Sequence, residues 1–373
     1  MNHMVDKPAD IIRVLVVDDS AFMRKALTMM LESDPQIKVI ATARDGEEGV
    51  DKVRKLKPDL VTMDIEMPRM DGLAALRQIM SSTPVPVMMI SSLTTDGATA
   101  TLDALELGAV DFIPKQLSYV SLDIVKIKDD LLAKIKEIAR RKNSLMARYR
   151  TRVFAQLKDG LRPREVVKMA QQVTPPQRII HKRTHLVNLI AIGCSTGGPP
   201  ALQAIIPKLP RNLPVGMLVA QHMPPMFTRS LSERLNGLSQ VSVKEAEDGE
   251  PIEAGSVYIA PGGRHMLVKK YGGRGRIVIT DEPRDALYKP SVNVMMTSVA
   301  NEFGGATIGV ILTGMGSDGV EGLKLLKDKG GVVIAQSEET CVVYGMPRAV
   351  VEAKIADHIS PIGDIYSEIV SYF

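Results

Sequence analysis

Leu186-Val187-Asn188-Leu189-Ile190-Ala191-Ile192 runs without a break into Gly193-Cys194-Ser195-Thr196-Gly197-Gly198, and Pro199-Pro200 then opens a stretch whose apolar residues fall at helical spacing. A short continuous apolar run suits a strand buried on both faces. Clustered glycines permit a sharp turn, and proline is favoured in the first turn of a helix. A second apolar run, Val215 to Ala220, follows. Strand, turn, helix and strand make a βαβ unit, which predicts an α/β fold with a doubly wound, mainly parallel sheet. The same pattern returns downstream. Ser291 reads as the N-cap of a helix to Phe303, Ala306 to Leu312 as a strand, Glu321 to Asp328 as a helix after a Gly-rich turn, and Val332 to Ala335 as a strand. Between these lie four short runs, Val241 to Lys244, Ser256 to Ala260, Met266 to Lys269 and Arg276 to Thr280. Gly-rich turns separate them and predict antiparallel hairpins.

Upstream, five apolar runs (Ile11 to Val17, Ile37 to Ala41, Leu60 to Met63, Val85 to Ile90, Val110 to Ile113) alternate with amphipathic segments such as Ala21 to Ser33, Gly46 to Lys55 and Leu73 to Ser81. This predicts a second parallel α/β sheet. Residues 126–142 read as a further helix, and Asn143 to Thr184, with Pro163, Pro175 and Pro176, as linker with some helix. The chain has 373 residues, beyond the ~250 to 300 at which a single core stops growing. The expected organisation is a tail (1–10), a first domain (11–130), a helical basic linker (131–184) and a second domain (185–373).

Hydrophobic residues at 45% and charged residues at 24% supply real cores and exclude fibrous and membrane classes. No apolar window reaches the ~18 residues of a membrane span. Met1 to Asp10 lacks the apolar run of a secretory signal, so a cytoplasmic protein, not membrane-inserted, is expected. Two cysteines, Cys194 and Cys341, make neither a disulfide framework nor a zinc site. The net charge of +4 is local: Lys134 to Arg183 holds 15 Lys or Arg against three Asp or Glu, so the remaining chain is mildly acidic. That argues against a nucleic-acid surface on either domain. The stretch reads as a solvated helix and linker, with an arm for an acidic partner as the alternative.

In the first domain, Asp18 and Asp19 follow the first strand, Asp64 the third and Lys115 the fifth, while Ser91 ends the fourth. Carboxyl ends of parallel strands form the ligand crevice of an open sheet, so these groups converge. Three carboxylates repel unless a hard cation such as Mg²⁺ joins them. Ser91 can bond a phosphoryl oxygen and Lys115 can pair with its charge. The plainer role for Asp19 or Ser20 is to cap the next helix.

In the second domain, Gly193, Ser195 and Gly197 fit G-x-S-x-G, which exposes a hydroxyl beside a helix N-terminus where developing negative charge is favoured. Cys194 is the rival nucleophile. Of six histidines, His3 lies in the tail and His181 and His185 flank the linker, leaving His222, His265 and His358. His222, just past the strand Val215 to Ala220, is the first choice as base and His265 the reserve. Asp318, in Thr313-Gly314-Met315-Gly316-Ser317-Asp318-Gly319, suits the third member of a triad.

Val16-Val17-Asp18-Asp19-Ser20, Met63-Asp64-Ile65-Glu66-Met67-Pro68, Ser91, Phe112 and Lys115 resemble response-regulator receiver domains. The resemblance implies a flavodoxin-like fold, Asp64 as the acceptor of phosphate from a histidine kinase, and Mg²⁺ held by Asp18, Asp19, Asp64 and the carbonyl of Glu66. It also implies a switch at Ser91, Phe112 and Lys115. Receivers commonly carry Lys-Pro here; this chain has Pro114-Lys115-Gln116 instead, which predicts a different seat for the lysine loop. With Gln221-His222-Met223-Pro224, Pro261-Gly262-Gly263-Arg264-His265 and Tyr344-Gly345-Met346-Pro347 added, nearly the whole chain resembles the chemotaxis protein-glutamate methylesterases. That family implies demethylation of glutamate esters and deamidation of glutamines on chemoreceptors, with no cofactor for the hydrolase. It implies Ser195, His222 and Asp318 as the triad, and Met315 and the neighbourhood of Thr196 at the oxyanion. Two other classes compete, a nucleic-acid-binding output and a non-catalytic receptor adaptor.

Overall fold

The computed structural model describes residues 11–115, 123–158 and 187–373, with side chains for all of these except 123–127 and 152–158. The expected tail and residues 159–184 of the expected linker lie outside the described residues. The chain divides into two compact units, residues 1–159 and 160–373.

In the first unit, β1 (Ile12–Val17), α1 (Ala21–Leu31), β2 (Ile37–Ala43), α2 (Gly46–Leu56), β3 (Leu60–Asp64), α3 (Gly72–Ser82), β4 (Val87–Ser91), α4 (Thr95–Leu107) and β5 (Asp111–Pro114) alternate. All strand pairs are parallel, in the order β2-β1-β3-β4-β5. This is the flavodoxin-like order, whose switch point lies between β1 and β3. Helix starts are marked by side-chain caps: Ser20, Asp45, Asp71 and Thr94 each accept a hydrogen bond from the backbone N–H three residues on. Ser20 therefore caps α1, and Asp19 is not needed for that role.

The helix expected over 126–142 is α5 (Asp123–Arg140), and α6 (Lys142–Lys158) follows directly, where linker with some helix was expected. Leu131, Ile135 and Ile138 form its buried stripe at helical spacing, and Leu145 and Met146 of α6 are buried too. The lysines of this region are not simply solvated. Lys134 bonds Asp111 at 2.9 Å, Lys136 bonds Asp34 at 2.7 Å, and Lys142 bonds Asp59 at 2.9 Å. A count of charges along the chain misses this, because the partners lie on loops and strands far away in sequence.

In the second unit, β6 (Leu189–Cys194), α7 (Gly198–Ile205), β7 (Gly216–Gln221), α8 (Phe227–Leu238), β8 (Ser242–Glu245), β9 (Ser256–Ile259), β10 (His265–Tyr271) and β11 (Arg274–Thr280) come first. Then follow α9 (Val292–Phe303), β12 (Thr307–Ile311), α10 (Val320–Asp328), β13 (Val332–Gln336), α11 (Met346–Glu352), β14 (His358–Ser360) and α12 (Ile362–Val370). Seven strands form one parallel sheet in the order β14-β13-β12-β6-β7-β9-β8. The expected antiparallel hairpin is present as β10 and β11, but the same expectation for β8 and β9 is corrected, since these two strands join the parallel sheet. The signal lay in burial rather than in the turns. Val257, Tyr258, Ile259 and Ala260 are buried in succession, as a strand covered on both faces must be. Strands β6 and β12 flank the switch point, so the crevice opens above their carboxyl ends.

The Lys134–Asp111 pair is nearly buried, with side-chain exposures of 14% and 7%. Removing one partner strands the other charge, so Lys134→Ala is expected to destabilise the first unit by about 3 to 5 kcal/mol in urea unfolding. A loss below about 1 kcal/mol would place the pair among ordinary surface bridges.

Candidate active site and acidic pocket

Strand ends bring the acidic group together. The ligand atoms of Asp18, Asp19 and Asp64 lie within 4.8 Å of one another, the first and last buried and Asp19 exposed. Lys115 reaches over them, with Nζ 2.6 Å from Asp64 Oδ2 and 3.8 Å from Asp18 Oδ2. Its own N–H donates to the Ser91 carbonyl at 2.7 Å, so Pro114 does not divert the lysine from the pocket. Burial, reinforced by Asp64, pushes the Asp18 carboxyl up to about 6, and burial raises Asp64 above its ordinary value despite Lys115. Asp18 Oδ2 is buried without a hydrogen-bond partner. Converging carboxylates with an unpartnered buried oxygen are a donor set that fits Mg²⁺. Glu66 is exposed, and its N–H donates to Asp64 Oδ1 at 3.4 Å. Phe112 is buried in β5. The Ser91 hydroxyl faces α4, donating to the Gly97 carbonyl at 3.1 Å and accepting from Thr101 at 2.8 Å. Arg24, which the motif reading passed over, donates from one nitrogen to the carbonyls of both Asp18 and Asp19, at 2.8 and 2.9 Å.

In the second unit, sheet register decides what meets. Cys194 pairs with Gln221 across β6 and β7, so Ser195 and His222 leave the sheet side by side. The His222 N–H donates to the Cys194 carbonyl at 3.1 Å, and the Ser195 N–H to the Thr313 carbonyl at 3.0 Å. The turn demands glycine. Gly197 has φ +78°, and a Cβ on Gly193 would lie 2.2 Å from Val292 Cγ1. Gly314 presses equally close, since a Cβ there would lie 2.8 Å from the Cβ of Ser195. This carries the Gly314–Gly316 loop, with Met315, onto the serine; Thr196 is buried in the same turn.

His222 Nε2 and Asp318 Oδ2 are 2.8 Å apart, and the ring stacks on Tyr288 at 4.1 Å between centroids. His222 Nδ1 is buried with no hydrogen-bond partner. Asp318 sits at the N-terminus of α9, where its carboxylate accepts from Ser291 Oγ at 3.0 Å, Val292 N at 2.7 Å and Asn293 N at 2.9 Å. Burial alone would raise this carboxyl. The bonds from His222, Asn293 and Val292 outweigh it and hold Asp318 below its ordinary range. Cys194 is fully buried, its thiol pushed up by desolvation, and its sulfur lies 4.0 Å from the Ala220 carbonyl. It faces the core and is not placed to act as nucleophile. His265, the reserve base, is fully buried with both ring nitrogens engaged. His358 bonds Tyr372 at 2.6 Å near the C-terminus.

Sequence reading missed Gln221 and Tyr288. Gln221 Nε2 bridges the carbonyls of Ser195 and His222, each at 3.0 Å, and so ties the two turns together. Its place between a strand and His222 was the available signal. Tyr288 had none, because its contact with His222 depends on a loop packed from elsewhere in the chain.

Fold and site together define a class: a phosphorylation-receiver domain followed by a parallel α/β output domain whose sheet edge carries a serine, a histidine and an aspartate. Family profiles agree, residues 14–124 matching the response regulator receiver domain and residues 190–369 the CheB methylesterase. The chain is 54% identical over 362 residues to protein-glutamate methylesterase/protein-glutamine glutaminase 2 of Nitratidesulfovibrio vulgaris, covering 96% of this chain and 99% of that one. It is 53% identical over 365 residues to the corresponding protein 1 of Oleidesulfovibrio alaskensis, with 96% and 99% covered. The crystal structure of the Thermotoga maritima CheB methylesterase catalytic domain matches at 43% identity, covering 51% of this chain and all of that one, with a TM-score of 0.49. The chain belongs to the protein-glutamate methylesterase/protein-glutamine glutaminase family. A nucleic-acid-binding output and a non-catalytic adaptor are set aside by that membership.

A carboxyl held below its ordinary value stabilises the fold at pH above its unfolded value, and that contribution is lost as pH falls through the folded one. Asp318→Asn is therefore expected to lower the urea midpoint of the second unit most at pH above the ordinary carboxylate range, the gap to wild type closing as pH falls below that range. A gap that is constant with pH would rule out an ionised Asp318 as its source.

Proposed function

We propose that the chain hydrolyses methyl esters of receptor glutamates, releasing methanol, and deamidates receptor glutamines, under the control of phosphate on Asp64. The substrate class follows the names of its relatives. The observation that carries the mechanism is the arrangement of the His222 ring: Nε2 faces Asp318, and Nδ1 is left buried with no hydrogen-bond partner. An Nε2–H donated to the carboxylate leaves the lone pair on Nδ1, so Nδ1 is the base. In the serine-protease template the two nitrogens have the opposite roles, and the chemistry is unchanged by the exchange.

Ser195 Oγ attacks the ester carbonyl while its proton passes to His222 Nδ1. The imidazolium is stabilised by Asp318, and the tetrahedral oxyanion is received by the backbone N–H of Met315 and the neighbourhood of Thr196. The proton then goes to the departing methoxide, giving methanol and an acyl-serine. Water, deprotonated by Nδ1, attacks that acyl group and releases the glutamate carboxylate and Ser195. With a glutamine substrate the leaving group is ammonia. Tyr288 stacks on the ring and, with Asp318, sets its orientation.

Residues 11–130 act as the receiver and 185–373 as the catalytic domain, working in the cytoplasm on the cytoplasmic part of chemoreceptors. No helix among the described residues is long and apolar enough to cross a membrane. A histidine kinase is the phosphodonor. Asp18, Asp19, Asp64 and the Glu66 carbonyl would hold Mg²⁺, which supplies the positive charge that lets a phosphoryl group approach these carboxylates. Lys115 pairs with the added charge. For Ser91 to donate to the phosphoryl group, its hydroxyl must give up the Gly97 carbonyl, while it can still accept from Thr101, and Phe112 packs in the strand that follows.

Methanol release from methylated receptor membranes tests the reaction. Ser195→Ala and Asp318→Asn are each expected to lower kcat by about 10³- to 10⁴-fold. A Ser195→Ala rate within tenfold of wild type would end the serine mechanism. In the same assay Asp64→Ala should show no increase on adding phosphorylated kinase; a full increase would place control elsewhere.

A further inference from the structure

His265 opens β10 with no exposed surface, and both of its ring nitrogens are spent. Nδ1 accepts the backbone N–H of Ser291 at 3.2 Å, and Nε2 lies 3.2 Å from the carbonyl of Pro283. A neutral imidazole has one lone pair and one N–H. Here a donor meets the first and an acceptor meets the second, which fixes the tautomer. Such a ring has no nitrogen left to exchange a proton with Ser195.

Ser291 is the N-cap of α9, its Oγ accepting from Val294 N at 3.3 Å. The N–H of a buried cap residue needs an acceptor of its own. In a capping box, a Glu or Gln three residues into the helix reaches back to supply it. That position is Val294, which has no acceptor to offer. His265 fills the role from a neighbouring strand. A carboxylate there would compete with Asp318 for the same positive helix end, whereas a neutral imidazole offers the lone pair without the charge. Burial keeps the ring in that form by holding its pKa below the ordinary histidine value; Lys289 acts in the same sense and Asp318 and Asp281 against it.

Apart from His222, the hydrogen-bond partners of the Asp318 carboxylate among the described residues belong to residues 291–293: Ser291 Oγ, Val292 N and Asn293 N. We propose that His265 is a positioning residue, which through Ser291 fixes the first turn of α9 and so seats the Asp318 carboxylate against His222. The inference rests on the triad reading of the reaction.

Two substitutions separate the nitrogens. In His265→Asn the amide oxygen can occupy the place of Nδ1 and accept from Ser291; in His265→Gln the polar group reaches the place of Nε2 and leaves Ser291 unpaired. In the full chain, assayed by methanol release from methylated receptor membranes, Asn is expected to keep kcat within about fivefold. Gln is expected to lower kcat by about 10- to 100-fold at unchanged KM, as a displaced catalytic group does. Both variants remove the ring, so a role in packing alone would lower them equally, and equal losses or a change confined to KM would overturn the proposal. Ser195→Ala in the same assay separates the two levels: if it stays active the triad reading is wrong, and if it is inactive while Asn and Gln behave alike, only the role of His265 falls. Should neither variant fold, ¹⁵N NMR of the wild-type chain decides. An unprotonated Nδ1 coupled to the Ser291 amide supports the assignment, and a protonated Nδ1 overturns it.

Discussion

The seat of one carboxylate organises the second unit. Asp318 follows β12, yet its oxygens are held by the first turn of α9 and by His222 beyond β7. A loop, a helix start and a strand end from three parts of the chain are joined at a single side chain. A buried carboxylate is costly unless its lone pairs are filled, and here they are filled by the backbone donors that a helix N-terminus leaves unpaired. The helix satisfies the acid and the acid caps the helix. The histidine orientation that the chemistry needs is a by-product of that mutual requirement.

The first unit solves a related problem differently. Its carboxylates also gather at a switch point between parallel strands, but Asp18 takes a single hydrogen bond from the start of α1, the Ser20 N–H on Oδ1 at 2.9 Å, and its buried Oδ2 has no hydrogen-bond partner. The outcome is opposite: Asp18 and Asp64 are raised and Asp318 is lowered. One pocket is built with unmet electrostatic demand, which a cation and a phosphoryl group can answer. The other is complete in itself. The same sheet geometry leaves carboxylates open to added charge in one unit and holds a carboxylate and an imidazole in a fixed pair in the other.

Much of this is legible in the sequence because parallel sheets place chemistry at strand ends. Asp18, Asp64, Lys115, Ser195, His222 and Asp318 all stand just past apolar runs, and Ser291 stands where a helix must be capped. Contacts that depend on register or on a distant loop were not legible. Tyr288 gives no local hint that it stacks on His222, and the pairing of Lys134 with Asp111 cannot be seen in a run of basic residues. The parallel seats of β8 and β9 were misread because glycine turns accompany both kinds of connection. Continuous burial from Val257 to Ala260 separates them, and that is a property of the folded chain. His265 was read for its chemistry, whereas its environment leaves it only geometry.

Cys194 and Ser195 are adjacent in the chain and both buried, Cys194 completely and Ser195 with 9% of its surface exposed. Strand alternation turns the thiol into the core, where desolvation keeps it protonated, and leaves the hydroxyl at the turn. Peroxides attack thiolates, and an alcohol is inert to them. Sulfur therefore sits one residue from Ser195, the proposed nucleophile, in a form that peroxide does not attack. In the proposed mechanism, peroxide therefore leaves the attacking group untouched.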